Sequence, residues 1–113
     1  MSELLERLER YGADVEGAMG RFLEDHDLYG TCFSLFLKED NFEKLGIALS
    51  EKDYTEAFEA AHTLKGVAGN MGLTPIYDVI CTMVENLRSQ DYSHVTEQYE
   101  EIMENLEQLK KLQ

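Results

Sequence analysis

The chain has 113 residues, 43% of them hydrophobic, which suffices for the core of one compact domain over 1–113 and argues against wholesale disorder. Ten Lys and Arg against 23 Asp and Glu give a net charge of −13, which argues against a nucleic-acid backbone or an anionic membrane as partner, since both require a basic patch. No apolar run reaches the length of a membrane span, and Met1-Ser2-Glu3-Leu4-Leu5-Glu6 lacks the charge pattern of a signal peptide, so the expected compartment is the cytoplasm.

Leu4, Leu5, Leu8 and Tyr11 give the opening segment a weak helical stripe, closed by Gly12. Asp14 is placed to N-cap a short amphipathic helix through Val15, Ala18, Met19, Phe22 and Leu23. Asp25-His26-Asp27 reads as a connector, with His26 a solvated loop residue. One long helix is expected from about Leu28 to Leu49, with Cys32, Leu35, Phe36, Phe42, Leu45 and Leu49 on its inner face and Gly46 blurring its boundary. Ser50 to Asp53 forms a tight connection, and Asp53 with Glu56 three residues later resembles a capping box.

The next helix should end near Met71-Gly72, with Gly72 at the C′ position. Thr74 as N-cap and Pro75 at N1 restart the chain, and Ile76, Val79, Ile80, Met83, Val84 and Leu87 make a wide apolar face. Asp91 is the expected cap of the last helix, where Tyr92, Val95, Tyr99, Ile102, Leu106 and Leu109 alternate three and four. Cys32 and Cys81 lie in apolar helical stretches without C-x-x-C spacing, so buried thiols are expected rather than a disulfide or a metal site. The expected fold is all-α: an antiparallel four-helix bundle with an additional short N-terminal helical segment.

The central stretch, Ala60-Ala61-His62-Thr63-Leu64-Lys65-Gly66-Val67-Ala68-Gly69-Asn70-Met71-Gly72, separates two faces of one helix. Ala57, Ala61, Leu64, Ala68 and Met71 form a buried stripe. At 3.6 residues per turn His62 then points roughly 140° away, onto the outer surface. Phe58 and Glu59 precede it by a turn; Lys65, Gly66 and Gly69 follow it. A helical side chain leans back over the preceding turn, so any residue at 66 would lie across His62, and glycine leaves the ring open. Close helix packing is the alternative reason for Gly66 and Gly69, weakened because both point away from the apolar stripe. A neutral imidazole is a nucleophile near pH 7, and an ammonium at i+3 suits a phosphoryl group arriving on it.

Ala61-His62-Thr63-Leu64-Lys65-Gly66, continuing through Gly69-Asn70-Met71-Gly72-Leu73, resembles the signature of histidine-containing phosphotransfer (HPt) domains. The likeness extends more weakly over Asp14-Val15-Glu16-Gly17-Ala18 and Phe33 to Phe36. The resemblance implies that His62 is the phosphoacceptor, with Lys65 as electrostatic support and Gly66 for steric access. Phe58, Glu59 and Gly69 would serve docking, with partial packing at the bundle edge an equal alternative for Phe58. It further implies response-regulator receiver domains as partners, with a sensor histidine kinase as a further candidate. Mg²⁺ would belong to the receiver, and this chain would need no cofactor or metal of its own. A polar group from the next helix, Glu85 or Arg88, stands where some members reach toward the imidazole.

Other chemistries find less support. Glu59-x-x-His62 has the spacing of a di-iron bundle motif, but both residues face outward and the second copy, Asp91-x-x-His94, sits at a helix start. The chain shows no G-x-S-x-G elbow and no P-loop, so the reading is of a phosphoryl carrier without an ATP site rather than an enzyme. The alternative is an acidic helical adaptor in which His62 is an ordinary surface residue. A monomer is expected, and the start at Met1 favours a free-standing protein.

Overall fold

Capping chemistry divides the chain into its helices. The computed structural model describes residues 3–113 and places there α1 (Glu3–Tyr11), α2 (Val15–Arg21), α3 (His26–Leu37), α4 (Asn41–Ser50), α5 (Tyr54–Asn70), α6 (Thr74–Arg88) and α7 (Val95–Lys110). Met1 and Ser2, part of the N-terminal reading above, lie outside the described residues. The carboxylates of Asp14, Asp25 and Asp53 accept from the backbone N–H groups of Gly17, Leu28 and Glu56 and so satisfy donors that each helix start leaves orphaned. At the ends of α4, α5 and α6 the same six-to-one closure recurs: Asp53 N–H to Ala48 O, Leu73 N–H to Ala68 O, and Asp91 N–H to Asn86 O, at 2.9, 3.0 and 2.9 Å. The left-handed residue that this closure needs is Lys52, Gly72 or Gln90.

Helices α4, α5, α6 and α7 form the bundle, each packed on the next, with α7 returning to α4. A continuous core joins Phe33, Phe36, Leu45, Leu64, Ile80, Met83, Ile102 and Leu106. Chain direction alternates, as the short links require. Helix α3 runs on along α7 beyond the bundle, where Gln113 donates to Ser34 Oγ, while Tyr99 donates to Phe42 O nearer the start of α7. Gly46 sits inside α4 because Tyr99 lies where its β-carbon would be.

Several local expectations are corrected. The long helix over 28–49 is two helices: Lys38 to Asp40 break it, with Glu39 accepting from both the backbone N–H and the Nδ2 of Asn41. The Phe36 and Phe42 rings meet edge to face across the break at 5.3 Å, which keeps the apolar stripe continuous. Leu35 is 63% exposed rather than inner, and Leu23 lies beyond the end of α2, left-handed and 87% exposed. His26 opens α3 instead of sitting in a loop, because Asp25 is the cap. The capping box at α5 is half made: Asp53 accepts from Glu56, but the Asp53 N–H is already given to Ala48. Thr74 is the first residue of α6, not its cap, and its hydroxyl turns back to Gly72 O. Asp91 accepts from the Ser93 Oγ and N–H, which hold its carboxyl below the usual carboxylate pKa, and α7 starts at Val95. Both cysteines are free thiols, half-buried rather than buried.

The N-terminal segment fastens the α5–α6 turn. Tyr29 donates to Met71 O at 2.8 Å, and Asp14 N–H donates to Gly72 O at 2.8 Å. Arg21 reaches Asn70 O and Gly69 O at 2.9 and 3.0 Å, a cation at the negative end of α5. Tyr11 accepts from Ile76 N–H at 3.1 Å and donates to Asn105 Oδ1 at 2.9 Å, so α1 supplies the cap that Thr74 does not. Burial raises the Tyr11 hydroxyl to about 12, partly offset by the Ile76 hydrogen bond.

Candidate functional site around His62

Anchored at both ends, α5 carries His62 at mid-length on its solvent side. Ala57, Ala61, Leu64 and Ala68 are fully buried, and alanine at three of these positions lets neighbouring helices approach closely. His62 is exposed, as is Gly66 one turn later, while Lys65 between them is half-buried. Among the described residues no side chain hydrogen-bonds the imidazole and no carboxylate pairs with Lys65, so a nucleophile and a cation stand side by side uncommitted. Thr63, also exposed, turns its hydroxyl to Glu59 O at 3.1 Å and away from the site.

The two glycines differ. A β-carbon at Gly66 would meet nothing within 4 Å, so no packing within this chain demands glycine there. At Gly69 a β-carbon would stand 2.9 Å from Tyr77 Cε1 of α6. Close packing therefore accounts for Gly69 although it lies off the apolar stripe, a correction to the reading that discounted it. The signal was out of reach in the sequence, because the contact depends on the register of α6 against α5.

Phe58 is half-buried against the core, and its ring centroid lies 5.7 Å from that of His62. Arg88 of α6 sets its guanidinium carbon 5.5 Å from the same Phe58 centroid and pairs with Glu85. Neither Glu85 nor Arg88 bonds the imidazole: Arg88 is engaged with Glu85 and with the Phe58 ring. Glu59 is exposed and, with Tyr54, Phe58, Leu87, Arg88 and Tyr92, borders a groove of about 380 Å³ next to the histidine. Tyr54 and Tyr92 stack at 3.6 Å to close its far end. Sequence periodicity placed Tyr92 on the last helix and so missed this wall.

Of the three histidines, His26 and His94 are also exposed, but each stands at a helix start and neither has a lysine at i+3 followed by glycine. His94 has Glu97 Oε2 at 3.8 Å instead. Among the described residues no group of three or more His, Cys, Asp and Glu could hold a metal ion, and no helix is long and apolar enough to cross a membrane.

Residues 37–112 match the family model described as Hpt domain. The match begins at the last residue of α3 and takes in α4 to α7 with the whole His62 surface. No curated protein and no solved structure matches the chain.

Proposed function

The chain belongs to the Hpt domain family, whose members carry phosphoryl groups on histidine in two-component phosphorelays, and from that premise we propose that His62 is its phosphoacceptor. In this reading a receiver domain bearing an aspartyl phosphate docks over the middle of α5. A ring nitrogen of His62, Nε2 by the family likeness, attacks phosphorus in line; the N–P bond forms as the acyl-phosphate P–O bond breaks, and the aspartate leaves as its carboxylate. The phosphohistidine then gives the group to the aspartate of a second receiver. Mg²⁺ belongs to the receiver, and the phosphoryl group comes from that partner rather than from ATP bound by this chain.

The observation that carries the proposal is the bare surface at His62 and Gly66 on a helix whose ends are fastened. An exposed imidazole without a hydrogen-bond partner has a lone pair to give. Lys65 supplies positive charge beside the incoming phosphoryl group. Gly66, under no packing demand, leaves the approach clear. Glu59 and Phe58 border the docking surface, and Gly69 contributes by seating Tyr77 close to it. The continuous core supports reading residues 1–113 as one domain.

The test is phosphoryl transfer from a panel of phosphorylated receiver domains to wild-type chain and to His62→Gln. The expected result is an acid-labile, alkali-stable phosphate on the wild type and none on the variant, with unchanged docking. Undiminished labelling of His62→Gln would overturn the assignment. Docking without any phosphate would favour the adaptor reading.

A further inference from the structure

Phe58 touches two groups at once: the His62 imidazole one turn along α5, and the Arg88 guanidinium from α6. Arg88 is in turn tied to Glu85, one turn back on its own helix. An exposed histidine with no hydrogen bond on its ring is free to rotate about χ2, which for histidine is a broad, shallow torsion. In-line attack needs one ring nitrogen aimed at phosphorus, and a wandering ring loses most of the advantage of proximity. The Phe58 ring lies against the imidazole, with centroids 5.7 Å apart and planes tilted by 34°.

We propose that Phe58 is the positioning residue for the His62 ring, and that Arg88, oriented by Glu85, holds Phe58 in the rotamer that does so. The inference rests on His62 being the phosphoacceptor. Phe58 is suited to the task because it is anchored in the core along one edge and reaches the surface along the other. A guanidinium over the ring fixes it further, by cation–π attraction and by the area that the planar group covers. The phenyl ring also favours the positive charge that the imidazole acquires as the N–P bond forms. Glu85 keeps Arg88 on the ring and away from the phosphoryl group, so the cation at the phosphate remains Lys65. Arg88 therefore acts through Phe58, not on the substrate.

The experiment reads the ring before any phosphate is present. Long-range ¹H–¹⁵N spectra of unphosphorylated protein would be recorded for wild type, Phe58→Leu, Arg88→Met and Arg88→Lys. Uptake from phosphoramidate, and then from a phosphorylated receiver, would follow. In Phe58→Leu the His62 Hδ2 and Hε1 resonances should move toward those of an unrestrained histidine, and the saturating single-turnover rate of phosphoryl uptake should fall roughly three- to tenfold with little change in the donor concentration that half-saturates it. Arg88→Met should shift the Phe58 and His62 ring protons in the same direction by a smaller amount, and Arg88→Lys should restore most of the wild-type shifts and rate.

His62 resonances unmoved by Phe58→Leu would overturn the proposal. Ring shifts unmoved by Arg88→Met would remove Arg88 from it, and a change confined to the half-saturating receiver concentration would make Arg88 a docking residue. Arg88 is exposed, so its two variants test the idea even if Phe58→Leu unfolds the bundle edge. Wild type that takes no phosphate from any donor would count against the phosphoacceptor reading, while the ring shifts would still decide whether Phe58 positions His62.

Discussion

Two regions of α5, barely two turns apart, are built on opposite principles. From Gly69 to Gly72 each carbonyl has a donor, supplied by Arg21, Tyr29, Asp14 and the turn itself. Among the described residues the His62 imidazole has a ring contact with Phe58 and no side-chain hydrogen bond, and a β-carbon at Gly66 would meet nothing within 4 Å. The saturated end borrows its partners Asp14, Arg21 and Tyr29 from residues that precede the stretch matching the family model. A nucleophile that must meet a partner protein has to be left uncovered. The helix beneath it then gains its rigidity from its ends and its buried face.

The sharpest break in this contrast is to cover the bare region. Gly66→Arg should abolish uptake from a phosphorylated receiver while leaving uptake from phosphoramidate and the melting temperature close to wild type. Receiver transfer at the wild-type rate would sink the steric role of Gly66. Unpicking the saturated end should do the reverse. Tyr29→Phe leaves the buried Met71 carbonyl without its side-chain donor and should cost about 1–3 kcal/mol in urea denaturation at unchanged m-value. Phosphoramidate uptake at His62 should survive in whatever fraction remains folded.

Alkali probes the same clasp through Tyr11. Its hydroxyl ordinarily titrates near 10.0 and is raised by burial to about 12, so the folded state holds this proton more tightly than the unfolded chain. The contribution to stability is complete below pH 10 and is lost as pH rises through about 12, a loss that Tyr11→Phe should flatten. Tyr29 moves in the same direction, also through burial. The smallest effect separates the two glycines. Gly66→Ala should stabilise the bundle by up to about 1 kcal/mol, because alanine is the better helix former and has room. Gly69→Ala should gain less or lose, since Tyr77 must shift. Equal gains would mean that Tyr77 does not press on α5.

The sequence displayed the bare region more fully than the saturated one. His62, Lys65 and Gly66 fall outside the apolar stripe by simple periodicity, and Asp53 and Gly72 mark both ends of α5 by their residue type alone. Tyr11, Arg21 and Tyr29 gave no such signal: their partners lie 42 to 94 residues away and include backbone carbonyls, which carry no residue-type signature. The break between α3 and α4 was hidden for a different reason. Phe36 and Phe42 keep the apolar pattern running across Lys38 to Asp40, and the turn shows in hydrogen bonds alone: Lys38 and Glu39 N–H to Leu35 and Phe36 O, and Asn41 to Glu39. Arg88 was visible as a candidate, but its choice of Phe58 and Glu85 over the imidazole depends on helix register, which spacing along one helix does not encode.

The most direct test of the account is to locate the phosphate. Chain phosphorylated by a receiver domain would be uniformly ¹⁵N-labelled and its histidine ring nitrogens correlated with phosphorus by ³¹P coupling. A one-bond coupling to a ring nitrogen of His62, with the rings of His26 and His94 unchanged, is the result expected. Phosphate on His26, on His94 or on a carboxylate would contradict the account, because it would place the chemistry away from the uncovered middle of α5.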